Sequence, residues 1–386
     1  MLKLNDAITV KIENLASSGN GVAHIEDDKN RTIFVPYSVP GDEIKVRIRK
    51  MHKVYFEAEI LNIIKPSKDR QIPICPYVEE CGGCDWLHIK YPKQLEEKEK
   101  LLKFYFRKNN IEIPNIKVIG AKNPLYYRDK IRIRNGFYKK NSKETINVEE
   151  CHIINKAFWP ILENKREYEE AYGYDYEKEK ITKNKAYYYY NDKIANEKIK
   201  FAYLPKGFVQ SNLIMNEELI KEVVSHTDKG SVLELYCGNG NFTIPISKKQ
   251  DIKSIVAVEG NYKGHQLLLE NIDNDKNSTN NDEHTETNYM KIIPYHENSK
   301  HFIKHATKYN SIVMDPPRIG SDGVILDAAK LTEKIIYVSC DANIFAKEFK
   351  DLQKETNNAW KVTSITLIDM FPQTKHFETV IVIQKL

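Results

Sequence analysis

VLELYCGNGNFTIPIS, residues 232–247, changes character in its middle: an apolar run ends at Tyr236, glycines follow at Gly238 and Gly240, and a helix-forming run begins at Asn241. A strand that turns through glycines into a helix is the opening unit of an α/β sheet. Four more short β-branched runs lie downstream, SIVAVE (254–259), SIVMD (311–315), KIIYVS (334–339) and TVIVI (379–383), with helical or polar segments between them. The alternation predicts a doubly wound, Rossmann-like sheet, and we assign residues 208–386 to that domain. Within it, DNDKNSTNNDEHTETN (273–288) is polar and low in complexity and reads as a surface insertion.

Upstream the period is different. Ile8, Val10 and Ile12, the run at 32–35, and Ile44, Val46 and Ile48 alternate with polar residues, and turn signals fall at Asn20-Gly21 and Pro40-Gly41. This predicts a small OB-like β-barrel over residues 1–64. The remaining 65–207 forms a central α+β region that opens with a cysteine-bearing segment. There KQLEEKEKLLKFYFRKNN (93–110) places Leu95, Leu101, Leu102 and Phe106 on one face of a helix, which is expected to pack on the neighbouring sheet domain. From Tyr126 to about Phe208 the pattern is strand-like and tyrosine-rich, and within it the stretch 163–200 is polar and weakly patterned, with no order predicted for it.

With 386 residues, 41% hydrophobic and 29% charged, the chain is long enough for several cores and is neither disordered nor fibrous in composition. A net charge of +5, from 59 basic against 54 acidic residues, does not by itself indicate nucleic acid. No apolar run is long enough for a membrane span, no signal peptide is visible, and six cysteines are too few for a disulfide scaffold. A cytoplasmic protein acting as a monomer, without membrane contact, is expected.

The glycine turn suits a nucleotide-type ligand approaching backbone amides. Thr243 stands where a dinucleotide fingerprint wants its third glycine, so S-adenosylmethionine is favoured over NAD or FAD. Glu259, ending the next run, is placed to accept ribose hydroxyls, and Asp315-Pro316-Pro317-Arg318 stiffens a loop at the same sheet edge. Cys340 ends KIIYVS, with Asp341 suited to cap the following helix, whose N-terminus is expected to favour a thiolate. Cys237 reads as an inert core thiol. Near the C-terminus, DMFPQTKHFE (369–378) brings His376 and Glu378 just before the last strand. A thiol, a carboxylate and a methyl donor together suit pyrimidine methylation. Thiolate addition at carbon six makes carbon five nucleophilic, and a base later removes its proton.

FVQSN (208–212), LYCGNGNFT (235–243), Glu259, DPPR, Ser339-Cys340-Asp341 and DMFPQTKHFE follow one another in an order that closely resembles the bacterial S-adenosylmethionine-dependent RNA uracil-5-methyltransferases over nearly the whole chain. The resemblance implies Cys340 as nucleophile and Glu378 as base. Around the methyl donor it implies Gln210, Tyr236, Gly238, Gly240, Asn241, Glu259 and Asp315. SSGNGVAHI (17–25) and IFVPYSVPGDEIKVRI (33–48) look like a TRAM domain, an RNA-binding barrel, which makes 23S ribosomal RNA enzymes a better match than the tRNA enzyme lacking it. The absence of a cysteine within DPPR argues against the cytosine-5 enzymes. The alternatives are the tRNA T-loop uridine, and a non-catalytic RNA-binding assembly factor.

Cys75, Cys81, Cys84 and Cys151 could hold zinc or an iron–sulfur cluster, and spacing alone does not choose. The resemblance implies a [4Fe-4S] cluster there. Finally, KNPLYYRDKIRIRNGFYKK (122–140) carries seven bases and one acid, 7 − 1 = +6, among Tyr126, Tyr127, Phe137 and Tyr138. Cations following phosphates and aromatic faces stacking on bases would make this an RNA surface. The target base is expected to leave its stack to reach Cys340.

Overall fold

Alternating apolar residues close a separate core at the N-terminal end of the chain. In the computed structural model, which describes residues 2–25, 31–164, 168–192, 197–279 and 291–386, this end carries six strands. They are β1 (Ala7–Lys11), β2 (Asn14–Leu15), β3 (Gly21–His24), β4 (Thr32–Val35), β5 (Glu43–Met51) and β6 (Tyr55–Lys65), in the order β1-β5-β6-β4-β3-β2. Only β4 and β6 run parallel. Val10, Ile12, Ile33, Val35, Ile44, Val46, Ile48 and Phe56 point inward and are buried, so the sequence period of two is the period of this core.

Helix α1 (Tyr91–Lys108) begins two residues before its expected start because Pro92 fits the first helical turn, where no amide donor is needed. Its Leu101, Leu102 and Phe106 share a core with Phe345 and Phe349 of the sheet domain. Strand β7 (Ile116–Ile119) then pairs in parallel with the sheet's edge. The segment 91–119 therefore builds part of the sheet domain, although it precedes residue 208.

The central region contains β8 (Lys130–Ile133), β9 (Phe137–Tyr138), β10 (Thr145–Ile146), α2 (Trp159–Leu162), β11 (Glu170–Asp175), β12 (Lys180–Thr182), β13 (Ala186–Asp192) and β14 (Glu197–Tyr203). The order β12-β11-β8 forms one sheet, and β13 and β14 form a hairpin. The strand-like reading of 126–208 holds, and β11 to β14 run through the stretch 163–200, whose order it left open, and on to Tyr203. In β13 the alternation is written in tyrosines: Tyr188 and Tyr190 are buried while Tyr187 and Tyr189 face outward. A hydropathy reading does not separate the two faces when both carry the same amphipathic residue.

The largest sheet takes β15 (Gly230–Leu235), β16 (Ile252–Glu259), β17 (Ile292–His296), β18 (Ser311–Met314), β19 (Lys334–Ser339), β20 (Trp360–Ile368) and β21 (Glu378–Lys385). With β7 they lie in the order β17-β16-β15-β18-β19-β21-β20-β7, and only β21 runs against its neighbours. Helices α3 (Leu213–His226), α4 (Thr243–Ser247), α5 (Tyr262–Thr279), α6 (Ser299–Phe302), α7 (Val324–Leu331) and α8 (Ala342–Glu355) complete the domain. Leu233, Leu235, Met314 and Tyr337 enter the core beneath α1, α7 and α8, whereas Val232, Val313, Ile336 and Val338 enter the one beneath α3 and α4. Both faces are covered, as a doubly wound sheet requires. Part of the polar stretch 273–288 is not a loop: α5 continues through it to Thr279, and Asp275 is buried against Lys248 at 2.8 Å. The rest of that stretch lies outside the described residues.

Candidate active site

The strand order reverses between β15 and β18, and at such a point the two following loops part and leave a crevice at the carboxyl edge of the sheet. The backbone after β15 turns through three residues with left-handed φ, Tyr236 (+63°), Gly238 (+58°) and Gly240 (+87°). The glycines have different reasons. A side chain at Gly238 would meet nothing within 4 Å, so that position faces open space where a ligand can reach the backbone. At Gly240 a Cβ would lie 2.8 Å from Leu268 Cδ1 of α5. Glu259, at the end of β16, accepts the Gly238 amide at 2.8 Å and the Asn261 amide at 2.6 Å, which fixes its carboxylate at the mouth of the turn.

Asn241 is held by a partner the sequence reading did not single out. Its amide makes a reciprocal pair with Asn216 of α3, at 2.8 and 3.0 Å, and its Oδ1 also accepts the Tyr188 hydroxyl at 3.0 Å. Asn271 of α5 donates to Asn239 O at 2.9 Å and accepts the Ala202 amide at 2.6 Å, joining the glycine turn to β14. No local motif marks Asn216, Asn271 or Tyr188, since each acts across more than 20 residues of chain. Gln210 is buried at the cavity wall, and the Tyr236 hydroxyl donates to Ser321 O at 3.2 Å.

Cys340 follows β19 and Glu378 opens β21. Ser339 pairs with Thr379 in the antiparallel register, so the next positions, 340 and 378, come side by side at one sheet edge. The Thr379 hydroxyl also donates to Ser339 O at 3.1 Å. Asp315 lies one strand away, and burial, then the charge of Glu259, raises its carboxyl to about 7. Burial drives the Glu378 carboxyl well above its ordinary range, reinforced by Asp315 and opposed by Arg318. The expected thiolate is corrected by this environment: burial, and then Glu378, push the Cys340 thiol up to about 12, with only Arg318 opposing. Asp341 does cap α8, accepting from Asn343 and Ile344 at 3.1 and 3.3 Å. That cap places a negative charge on the amides that were to favour a thiolate.

Below a raised pKa the thiolate fraction grows tenfold per pH unit. Alkylation of Cys340 by iodoacetamide in the substrate-free protein is therefore expected to rise steadily with pH, with no levelling below about pH 9. A plateau near pH 7, read from the mass of the labelled peptide, would show that the thiol is already ionised.

Gln210, Tyr236, Asn241, Glu259, Asp315, Cys340 and Glu378 border one cavity of about 1710 Å³, and Cys75, Cys81, Cys84 and Cys151 line it too. The four cysteines are free. Burial raises all four thiols, that of Cys151 to about 11, and Cys84 feels the charges of the other three. Among the described residues, no three His, Cys, Asp or Glu side chains converge on a point that would hold a metal ion.

The basic stretch 122–140 is less open than its composition suggests. Lys130 donates to Gly207 O, and burial lowers its ammonium to about 8. Lys139 pairs with Glu80 and Glu144, and Lys140 sits over the Tyr37 ring at 4.4 Å. Tyr127 is buried, with its hydroxyl on Pro372 O at 3.0 Å, so it is a core residue and not a base-stacking one; Tyr138 is the exposed aromatic of the group. Lys130, Arg132, Lys139 and Lys140 still line the cavity beside Cys81 and Tyr138.

Residues 175–386 match the family model described as tRNA (Uracil-5-)-methyltransferase, and residues 3–61 match the TRAM domain. The chain is 26% identical to the 23S rRNA (uracil(1939)-C(5))-methyltransferase RlmD of Vibrio parahaemolyticus, over 97% of this chain and 95% of that one. It is 29% identical to the uncharacterized RNA methyltransferase Bd3828 of Bdellovibrio bacteriovorus, with 98% and 95% covered. In fold it resembles the Pyrococcus abyssi tRNA (uracil-54, C5)-methyltransferase, solved with S-adenosyl-L-homocysteine. That likeness has a TM-score of 0.72 at 18% identity and covers 97% of this chain and 100% of that one. No helix among the described residues is long and apolar enough to cross a membrane.

Proposed function

The chain belongs to the tRNA (uracil-5-)-methyltransferase family, and from that premise we propose that it methylates carbon 5 of a uridine in large-subunit ribosomal RNA. The observation that carries this reading is the pairing of Cys340 with Glu378 at adjoining strand ends, on the wall of the cavity that holds the glycine turn. The ribosomal substrate is supported by relatives of matching length that carry that name. The barrel does not decide it, because the fold of a tRNA enzyme is matched over 97% of this chain as well.

The residues fit a methyl donor: Gly238 leaves its backbone open, Glu259 is fixed beside it, and Gln210, Tyr236, Asn241 and Asp315 line the same space. S-adenosylmethionine supplies, when bound, a methyl group on a positively charged sulfur, which carbon 5 takes. Cys340 loses its proton to solvent and adds its sulfur to carbon 6 of the uracil, which moves the electron pair of the carbon 5–carbon 6 double bond onto carbon 5. Once carbon 5 carries the methyl group, Glu378 in its ionised form removes the remaining proton there. The carbon–sulfur bond then breaks and returns the electron pair to Cys340. Burial raises both groups, and Arg318, the cation that acts on Cys340 and on Glu378 in the opposite direction, is the residue of this chain that favours their ionised forms.

The four thiols fit an iron–sulfur cluster better than a single zinc ion. Three close cysteines and a remote fourth share one wall of the cavity, whereas zinc sites are usually built from two close pairs. Cys75, Cys81, Cys84 and Cys151 would hold it, and its contribution would be to tie the 75–84 loop to residue 151 beside the RNA-facing cations.

Radiolabelled S-adenosylmethionine with unmodified 23S rRNA and tRNA tests the proposal. Label is expected in 5-methyluridine from the ribosomal RNA. Label in tRNA alone would support the T-loop alternative, and none in either would favour a non-catalytic assembly factor.

A further inference from the structure

The loop 369–377, which leads into Glu378, is held by its own turns and also by residues from other parts of the chain. Gln94 of α1 donates its Nε2 to Gln373 Oε1 at 2.8 Å, and its Oε1 accepts the Gln373 amide at 3.0 Å. The same Nε2 also reaches Ile89 O at 2.8 Å and Trp86 O at 3.1 Å. The Gln373 carbonyl in turn accepts the amides of Asp85 and Trp86, at 3.1 and 3.0 Å. Lys98, with no exposed surface, donates to Asp369 Oδ1 at 2.7 Å and Phe371 O at 3.1 Å, and the Tyr91 hydroxyl donates to Asp369 Oδ2 at 2.8 Å.

This is a costly way to hold a loop. Gln373 sits at φ +69°, a conformation that a non-glycine residue keeps only where its surroundings over-determine it. Gln94 and Gln373 are both buried polar residues, and a buried ion pair such as Lys98–Asp369 is often no more stabilising than apolar packing of the same volume. A cluster of this composition fixes geometry more than it adds stability, and five residues beyond Gln373 stands the carboxylate that must meet carbon 5.

We infer that Gln94 and Gln373 are positioning residues for proton removal: their reciprocal amide pair locks the loop 369–377 to α1 and so sets where Glu378 stands. The inference rests on the methylation reading and deepens it. It separates two halves of the reaction, because Cys340 follows β19 and lies outside this loop, whereas Glu378, the first residue of β21 and the partner of Ile368 in β20, is entered directly from it.

RNA carrying 5-fluorouridine at the target has no proton to remove at carbon 5, so its denaturant-stable adduct reports Cys340 addition and methyl transfer alone. Gln94→Leu, which keeps the volume, is expected to form that adduct within about threefold of the wild-type rate. On uridine RNA its turnover is expected to fall at least about tenfold, with the methylated covalent intermediate accumulating. Gln373→Gly, which suits the left-handed backbone, loses the bond from Gln94 Nε2 but keeps the main-chain bond to Gln94 Oε1; it is expected to show the same split with a smaller fall in turnover and carries the test if Gln94→Leu does not fold. A parallel fall of both rates, or no change in either, overturns the positioning role. A wild type that traps no 5-fluorouridine adduct overturns the methylation reading, and the positioning role with it.

Discussion

Cys340→Ala is expected to lower methyl transfer by about 10⁴-fold or more and to form no denaturant-stable adduct with 5-fluorouridine RNA. The size of the effect comes from chemistry. Carbon 5 of uracil is a weak nucleophile, and without a bond at carbon 6 nothing else in the cavity supplies the electron pair; 10⁴ corresponds to about 5.5 kcal/mol of barrier. The thiol is part-exposed at the end of β19 and caps nothing, since Asp341 performs that role, so the variant is expected to fold. The measurement is label transfer beside gel-shifted adduct on the same RNA. Turnover within tenfold of wild type would remove the covalent mechanism.

Glu378→Gln is expected to slow turnover by about 10²–10⁴-fold, the range that a positioned base contributes, while leaving the first half of the reaction intact. The enzyme should then collect on uridine RNA as a methylated covalent complex that survives denaturant. Glu378 is buried and burial raises its carboxyl well above the ordinary range, so an uncharged glutamine of the same size should not disturb packing. A variant that turns over slowly without accumulating the complex would place the base elsewhere, and His376, on the same cavity wall, would be the next residue to test.

Several features were legible because they are local. The strand–glycine–helix turn at 232–247, the β-branched runs and the barrel's period of two each depend on residues within a few positions, where sterics and burial on one face leave their mark on the order of residues. The same holds for Asp341, whose capping role needs only the next three amides. By contrast, the tyrosines of β13 hid their alternation, and Tyr127, inside a basic and aromatic run, proved to belong to the core. The thiolate expected of Cys340 rested on its helix end alone and failed because burial, and then Glu378, close in space and 38 residues away in the chain, dominate its surroundings.

The amino-acid sequence by itself singled out the side chains proposed to do chemistry here and the order in which they enter the fold: Cys340, Glu378, the glycine turn and the four cysteines. The tertiary structure decided how those groups are charged and held. Examples are the raised thiol of Cys340, the Asn216 clamp on Asn241, the strand β7 borrowed from upstream, and the glutamine pair between Gln94 and Gln373. Identity and spacing are written along the chain, whereas desolvation, field and hydrogen-bond partners depend on what packs nearby from elsewhere in it, and that is fixed only when the sheets close.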